Sequence, residues 1–287
     1  MIACYDLARC PPTYDAVAFL ALAEQERLRR GDEYIDVRIL PGPEGGFRAD
    51  GLGTWPHTIE ERISVRDRVL VPLCRLLPSA RSVEVAPDRG VFSAEWGLGE
   101  YCVGLKNILA ALRAGMRPLR ALRPMMKSRR LVTFTLRQAT HHPLRNSRSE
   151  EWYQAAMALH ASGWHVSVLR DACAAGAAPA FEYVYFASPE ASVDLSTRAD
   201  LYASAALNVG ICNGPMWMSV FMDAPTLMLR PTTNAAGGCY DDAYYEQMGL
   251  PRGSQLPGSP PHQRLAWCDD ACANIVREVE GMLDVVS

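Results

Sequence analysis

The 287-residue chain has no run approaching the roughly 18 uninterrupted apolar residues that a membrane-spanning helix needs. Its first residues, MIACYDLARCPP, show no basic region followed by a long apolar stretch, so the expected location is cytoplasmic. No paired CxxC occurs among nine cysteines, an odd number, and several sit inside apolar runs. They read as reduced, buried and structural. Cys268 and Cys272 lie one helical turn apart, but no neighbouring His or second Cys pair completes a tetrahedral set, so no metal site is expected. Between Tyr101 and Ser149 there is no Asp or Glu at all.

That same segment carries eleven basic residues. The remaining chain holds 18 basic and 32 acidic residues, so the net charge of -3 conceals a strongly polarised molecule. A basic segment draws an anion to itself, while an acidic remainder disfavours nucleic acid, and no nucleic-acid partner is expected. Between Arg113 and Arg130 a solvated basic linker explains the charge equally well. Arg137 is different, because it ends a short apolar run of β-formers, Leu131 to Leu136.

Arg137 leads into a polar loop with His141-His142-Pro143, Arg145, Asn146 and Arg148, and then a helix opens at Ser149-Glu150-Glu151. Strand, cationic loop and helix start form a plausible phosphate site, since open α/β sheets bind ligands beyond strand carboxyl ends and helix starts offer free N–H groups.

Elsewhere, strands and helices alternate. Ile2 to Leu7 and Tyr34 to Leu40 read as strands around a helix from about Asp15 to Arg30, and Thr58 to Leu77 reads as a helix with Ile63, Leu70, Leu73 and Leu76 inward. After the breakers Gly115, Pro118 and Pro124 come strands at 131–136, 165–169, 181–186, 208–212 and 226–229. A final helix spans 269–283, and 234–261 reads as loop-rich. The pattern predicts an α/β protein with parallel sheets, in domains 1–125 and 126–287.

A second segment of interest is NVGICNGPMWMSVFMDAPTLMLRPTT, from Asn208 to Thr233. A strand ends at Cys212, Asn213-Gly214-Pro215 turns into a helix, and a Pro-Thr strand then leads to Arg230-Pro231-Thr232 at the same edge. This arrangement resembles the donor half of GT-B glycosyltransferases, particularly the heptosyltransferase-like pattern, over most of 131–283. The Arg137 and Arg145 loop is similar to the arginine motif of fucosyltransferase-like GT-B enzymes. Asn213 precedes Gly214 directly, and Trp217 or Met218 stands where the heptosyltransferase-like pattern has a His.

The resemblance implies two Rossmann-like domains, an acceptor-side first one and a second one binding a nucleotide diphosphate sugar. Arg137, Arg145 and Asn146 would hold the diphosphate, with Asn213, Gly214 and Thr232 at the neighbouring turn. Asp171 or Glu190 would accept from ribose or base. The implied activity is metal-independent transfer of a sugar to a glycan or small hydroxyl acceptor, without a cofactor, and no DxD-type motif lies near the arginines. The acceptor needs a base, expected from the first domain at Asp15, with Asp6 and His57 as substitutes.

Each of these residues has a plainer reading. Asp171 and Glu190 suit caps or solvated strand ends, Asp15 or Thr13 an N-cap, and the Gly214 turn tight βα packing. A non-catalytic nucleotide- or glycan-binding protein on the same scaffold is the alternative function. Peripheral contact of the basic segment with an anionic membrane is a third.

Overall fold

The computed structural model describes residues 1–49, 58–90, 96–98, 104–123, 127–139, 143–171, 186–231 and 242–286. The chain divides into two compact units, Met1–Leu122 and Arg123–Ser287, where a boundary at 125/126 was expected.

Unit 1 is built on three parallel strands, β1 (Ile2–Asp6), β2 (Ile35–Leu40) and β3 (Ala80–Val85), in that spatial order. Helix α1 (Ala16–Arg30) crosses from β1 to β2. Its Ala-rich first half lets the helix lie close and buried, and Gly31 ends it in the left-handed conformation (φ 74°) that favours glycine. On the other side of β1, Cys4 N–H donates to Trp96 O at 2.9 Å, and Ala3 bridges Trp96 in parallel. The order therefore continues beyond β1 with a later segment. Tyr5 and Phe19 meet edge to face at 5.2 Å in this core.

From β2 to β3 the chain passes through α2 (Ile59–Val65), a π turn (Arg66–Leu70) and α3 (Val71–Arg75). Thr58 and Glu61 form a capping box at the start. Pro72 has no N–H to donate back into the helix, and the π turn lies directly before it. Unit 1 ends with α4 (Leu105–Arg113) and an irregular stretch to Leu122.

Among the described residues unit 2 has six strands, all parallel: β4 (Leu131–Thr135), β5 (His165–Leu169), β6 (Phe186–Ala187), β7 (Leu207–Ile211), β8 (Thr226–Leu229) and β9 (Gln263–Ala266). Their spatial order is β6-β5-β4-β7-β8-β9. Counted within the unit this is 3-2-1-4-5-6, the doubly wound dinucleotide-fold order, with its reversal between β4 and β7. Of the expected strand 181–186, only Phe186 lies within the described residues.

The helices of unit 2 are α5 (Ser149–Ala161), α6 (Pro189–Val193), α7 (Leu195–Ser204), α8 (Gly214–Phe221), α9 (Asp242–Gln247) and α10 (Cys272–Val286). Val132, Phe134 and Leu136 join Trp152, Leu159, Ile275 and Val279 in an apolar core shared with α5 and α10. The alternate residues of β4 make polar contacts instead: Thr133 Oγ1 donates to Asn208 Oδ1 at 2.7 Å, and Thr135 Oγ1 shares a hydrogen bond with Tyr202 Oη at 2.7 Å. Buried polar groups on this strand are thereby satisfied.

Helix α8 is buried along almost its whole length because it lies directly on β7 at Gly210. A Cβ at that position would come within 2.8 Å of Met216 Sδ and 2.9 Å of the Thr135 carbonyl oxygen. Gly210→Ala is accordingly expected to cost roughly 1–3 kcal/mol, read by urea unfolding. A smaller loss would mean that α8 shifts freely.

Candidate functional site

Arg137 follows β4 and is only 5% exposed. Its backbone N–H donates to Ser147 Oγ at 3.0 Å, and Ser147 N–H donates back to the Arg137 carbonyl at 2.9 Å, so the loop closes on itself. Within the loop Arg137 Nη1 donates to Asn146 Oδ1. That oxygen also accepts from Ala139 N–H at 3.1 Å, while Asn146 Nδ2 donates to the Ala139 carbonyl at 2.9 Å. The Asn146 amide thus holds the loop in shape around the cation. Arg145 ends the short 3-10 turn Pro143–Arg145 and is half-buried. His141 and His142 lie outside the described residues, as do Thr232 and His57.

The end of β5 braces this loop. Asp171 Oδ2 accepts from Gln138 N–H at 2.6 Å, and Arg170 Nε donates to Gln138 Oε1 at 2.7 Å. Buried Arg198 continues the lacing, with Nε on the Ala191 carbonyl at 2.7 Å and Nη2 on the Arg170 carbonyl at 3.0 Å. Asp171 is therefore brought to the Arg137 loop. Glu190 is not: it is exposed in the first turn of α6, beyond the edge strand β6.

Across the reversal point, Asn213 caps α8 by accepting from Met216 N–H at 3.2 Å, and Gly214 is the helix's first residue. Asn213 is thus engaged as a cap, while the open N–H groups of the first turn remain an anion-attracting pole. The strands after it supply the outer brace. Arg230, 1% exposed at the end of β8, stacks over Tyr245 at 4.3 Å and Trp267 at 5.7 Å, and its Nη2 reaches Asp242 at 3.3 Å. Tyr245 Oη donates to Cys212 Sγ at 3.5 Å, tying α9 to the end of β7.

Three strands of this sheet end in the same dipeptide: Leu136-Arg137, Leu169-Arg170 and Leu229-Arg230. The repeat gathers three cations on one sheet edge, and it was the available signal for Arg170 and Arg230. Ser147, Gln138 and Arg198, which fix the geometry, carry no such mark.

In unit 1, Asp15 occupies the N-cap position of α1 but makes no side-chain cap bond; its Oδ2 accepts from Thr13 Oγ1 at 2.7 Å. Asp6, at the end of β1, takes both arms of Arg89 at 2.8 and 2.9 Å and the Ala8 N–H at 2.9 Å. Burial pushes its pKa up, but the Arg89 bonds, the Ala8 N–H and the charges of Arg89 and Arg9 outweigh it, and the carboxyl is held below its ordinary value. A carboxylate so held is a weakened base. Because its folded pKa lies below the unfolded one, it contributes stability above about pH 4 that is lost as pH falls through the folded pKa. Urea unfolding across that acid range is expected to show a shallower loss in Arg89→Ala than in the parent, the two curves differing most near neutral pH and converging as pH falls; parallel acid limbs would contradict the pairing.

Among the described residues no three His, Cys, Asp or Glu side chains gather closely enough for a metal ion. Burial raises the Cys268 thiol to about 11 and pushes Cys272 up as well, so both are protonated at neutral pH. Cys4, Cys74 and Cys212 are buried thiols as expected, whereas Cys10 is disulfide-bonded, a correction to the reading of all nine as reduced. No described helix is long and apolar enough to cross a membrane.

No protein-family model and no curated protein matches the sequence. Among solved structures the chain is similar to the heptosyltransferase WaaC of E. coli with ADP, at 13% identity and a TM-score of 0.47 over 100% of both chains. It is also similar to the iron-containing dodecameric glycosyltransferase TibC from enterotoxigenic E. coli H10407, at 15% identity and a TM-score of 0.46, covering 99% of this chain and 74% of that one.

Proposed function

We propose that the protein is a metal-independent glycosyltransferase that takes a sugar from a nucleotide diphosphate and passes it to a hydroxyl acceptor. The observation that carries this reading is the strand order of unit 2. Its reversal sets the end of β4, with Arg137, beside the end of β7, with the Asn213-Gly214 helix start. In doubly wound sheets the crevice at that place is where nucleotides bind. Arg170 lies on the same edge with its Nε on Gln138 Oε1, while Arg230 is paired with Asp242 and braces the outer strands.

When a glycosyl group leaves its diphosphate, negative charge grows on the bridging and terminal phosphoryl oxygens. Fixed donors aimed at those oxygens lower the barrier more than they stabilise the ground state. Arg137, with Arg145 at the end of the loop, would supply this stabilisation, and the N–H groups opening α8 would bind the second phosphoryl group. Asp171, at the end of the second strand of the unit, would accept from the ribose. The acceptor's base would come from unit 1, with Asp15 preferred over Asp6 because Arg89 holds the latter in its ionised, weakly basic form.

The test is a thermal-shift screen over UDP, GDP, ADP, CMP and dTDP forms, with sugar release and transfer followed for any stabilising donor. Stabilisation by one nucleotide diphosphate series, with turnover, is expected. Absence of any shift would overturn the reading. Binding without hydrolysis or transfer across an acceptor panel would favour the non-catalytic alternative, which the engagement of Asp6 by Arg89 supports.

A further inference from the structure

Arginines at the strand ends and loops of unit 2 are held in two different ways. Arg148 and Arg230 are held by carboxylates, Arg148 Nε by Asp270 at 2.8 Å and Arg230 Nη2 by Asp242 at 3.3 Å. Arg137 and Arg170 are held by carboxamides, Arg137 Nη1 by Asn146 Oδ1 and Arg170 Nε by Gln138 Oε1 at 2.7 Å. The difference is electrostatic. A carboxylate cancels a guanidinium's charge and suits a brace, whereas a neutral oxygen fixes the group's orientation and leaves its charge to act on an anion.

The second pair lies together. Strands β4 and β5 are parallel neighbours with Thr135 opposite Leu169, and Leu136 N–H continues the ladder to the Leu169 carbonyl at 2.8 Å. Arg137 and Arg170 therefore leave the sheet side by side, on strands about 4.8 Å apart. Gln138 links them. It follows Arg137 in the chain, accepts from Arg170 Nε, and donates from its own Nε2 to Oγ of Ser149, the first residue of α5, at 3.2 Å. The Arg170 guanidinium is thus drawn toward the end of β4 and the start of the helix that follows it. In doubly wound folds the pyrophosphate sits against that helix start.

The surroundings keep the cation in place and turn acids from it. Arg170 N–H donates to Ser192 Oγ at 3.0 Å, and its carbonyl accepts from Arg198 Nη2 at 3.0 Å. Asp171 Oδ2 accepts from the Gln138 N–H at 2.6 Å. In the first turn of α5, Glu151 accepts from Cys272 N–H at 2.6 Å and Glu150 from Gln154 Nε2 at 3.0 Å.

We propose that Arg170 is a second guanidinium on the diphosphate, beside Arg137, and that Gln138 is the residue that positions it. The inference rests on the nucleotide reading of this site and deepens it, assigning the phosphate grip to two adjacent strand ends and to an amide that holds the cation without neutralising it.

The test is calorimetry with two kinds of probe, inorganic pyrophosphate and the nucleoside diphosphates UDP, GDP and ADP. Arg170→Gln is expected to weaken both kinds by roughly tenfold or more, as for a charge-assisted hydrogen bond lost. An arginine that reads ribose or base would weaken the nucleotide alone, and unchanged pyrophosphate affinity overturns the proposal. Two replacements separate a positioning Gln138 from a mere brace. Gln138→Glu retains an acceptor for Arg170 Nε but adds a negative charge, and Gln138→Met retains the bulk but removes the acceptor. Stability in urea should rank Glu above Met, while pyrophosphate affinity should rank Met above Glu, with Glu at least about fivefold below the parent. A brace would make affinity follow stability, and that ranking overturns the role of Gln138. Should Arg170→Gln fail to fold, the Gln138 pair carries the test alone. Failure of this proposal and of the nucleotide reading are distinct. A nucleoside diphosphate bound equally by the parent and Arg170→Gln ends the role of Arg170 and leaves the nucleotide reading intact. Pyrophosphate binding that depends on Arg170, with no nucleoside diphosphate bound, ends the nucleotide reading and leaves the anion grip. A parent that binds neither probe ends both.

Discussion

Arg137→Ala is expected to weaken binding of the nucleotide diphosphate sugar by roughly 30- to 150-fold, the equivalent of about 2–3 kcal/mol for a charge-assisted hydrogen bond lost in a desolvated place. The guanidinium is 5% exposed, so water screens it poorly. It carries five N–H donors in a planar fork, and holding Asn146 Oδ1 together with a phosphoryl oxygen is within that geometry. Two further variants separate charge from shape. Arg137→Lys retains the positive charge but not the fork, and should recover only part of the affinity. Asn146→Ala retains the cation and removes the amide that ties Ala139 to the loop, and should weaken binding less than Arg137→Ala does. Isothermal calorimetry at two ionic strengths decides the matter. A folded Arg137→Ala protein with undiminished affinity would remove the arginine from the site, and an Asn146→Ala loss equal to that of Arg137→Ala would make it a loop effect rather than an electrostatic one.

Much of the sheet was legible because its signals are local. The run of β-formers before Arg137 and the Pro215 helix start each declare themselves within a few residues. Strand order was not legible, since β4 pairs with β7 across more than seventy residues and nothing local encodes that choice. The reversal point, on which the site depends, therefore came only with the fold. Strand β9 was missed for a different reason. Gln263–Ala266 has no β-branched residue, and it is a strand because it pairs with β8, while the Gln255 amide bonds the Leu265 N–H and carbonyl on its outer side. Helix α9 fell within a stretch read as loop.

Ile63 is the instructive error. Simple helical spacing put it inward with Leu70, Leu73 and Leu76, but it is 39% exposed and its neighbour Arg62 is buried, donating to the Arg48 carbonyl at 2.9 Å. The π turn at Arg66–Leu70 takes up an extra residue and rotates α2 relative to α3, so one periodicity cannot run through both. Asp6 shows the same limit for the site in unit 1. Its partner Arg89 lies 83 residues away, and its carboxylate could be read as a spare base only while that pairing was unseen.

The largest loss of stability is expected from Asp270→Ala, about 3–5 kcal/mol. Asp270 is 3% exposed and accepts from three donors: Arg148 N–H and Nε, both at 2.8 Å, and Trp152 Nε1 at 2.9 Å. The Arg148 guanidinium can turn to water, but Trp152 is buried and its indole N–H would be left without an acceptor. The start of α5 and the approach to α10 would lose their most buried polar tie, keeping the Glu151 bond to Cys272 N–H at 2.6 Å and the Arg148–Asp269 ion pair at 3.5 Å. An effect on binding should appear even where the fold survives, because Ser147, the residue before Arg148, is the one that closes the loop on Arg137. Urea unfolding gives the first quantity and calorimetry well below the melting temperature the second. Asp270→Asn, which retains one acceptor oxygen, should fall between the parent and Asp270→Ala in both. A stability change under about 1 kcal/mol would show that water replaces the carboxylate; a stability loss with nucleotide affinity intact would show that the clasp on Arg137 is rigid without the α5 to α10 tie.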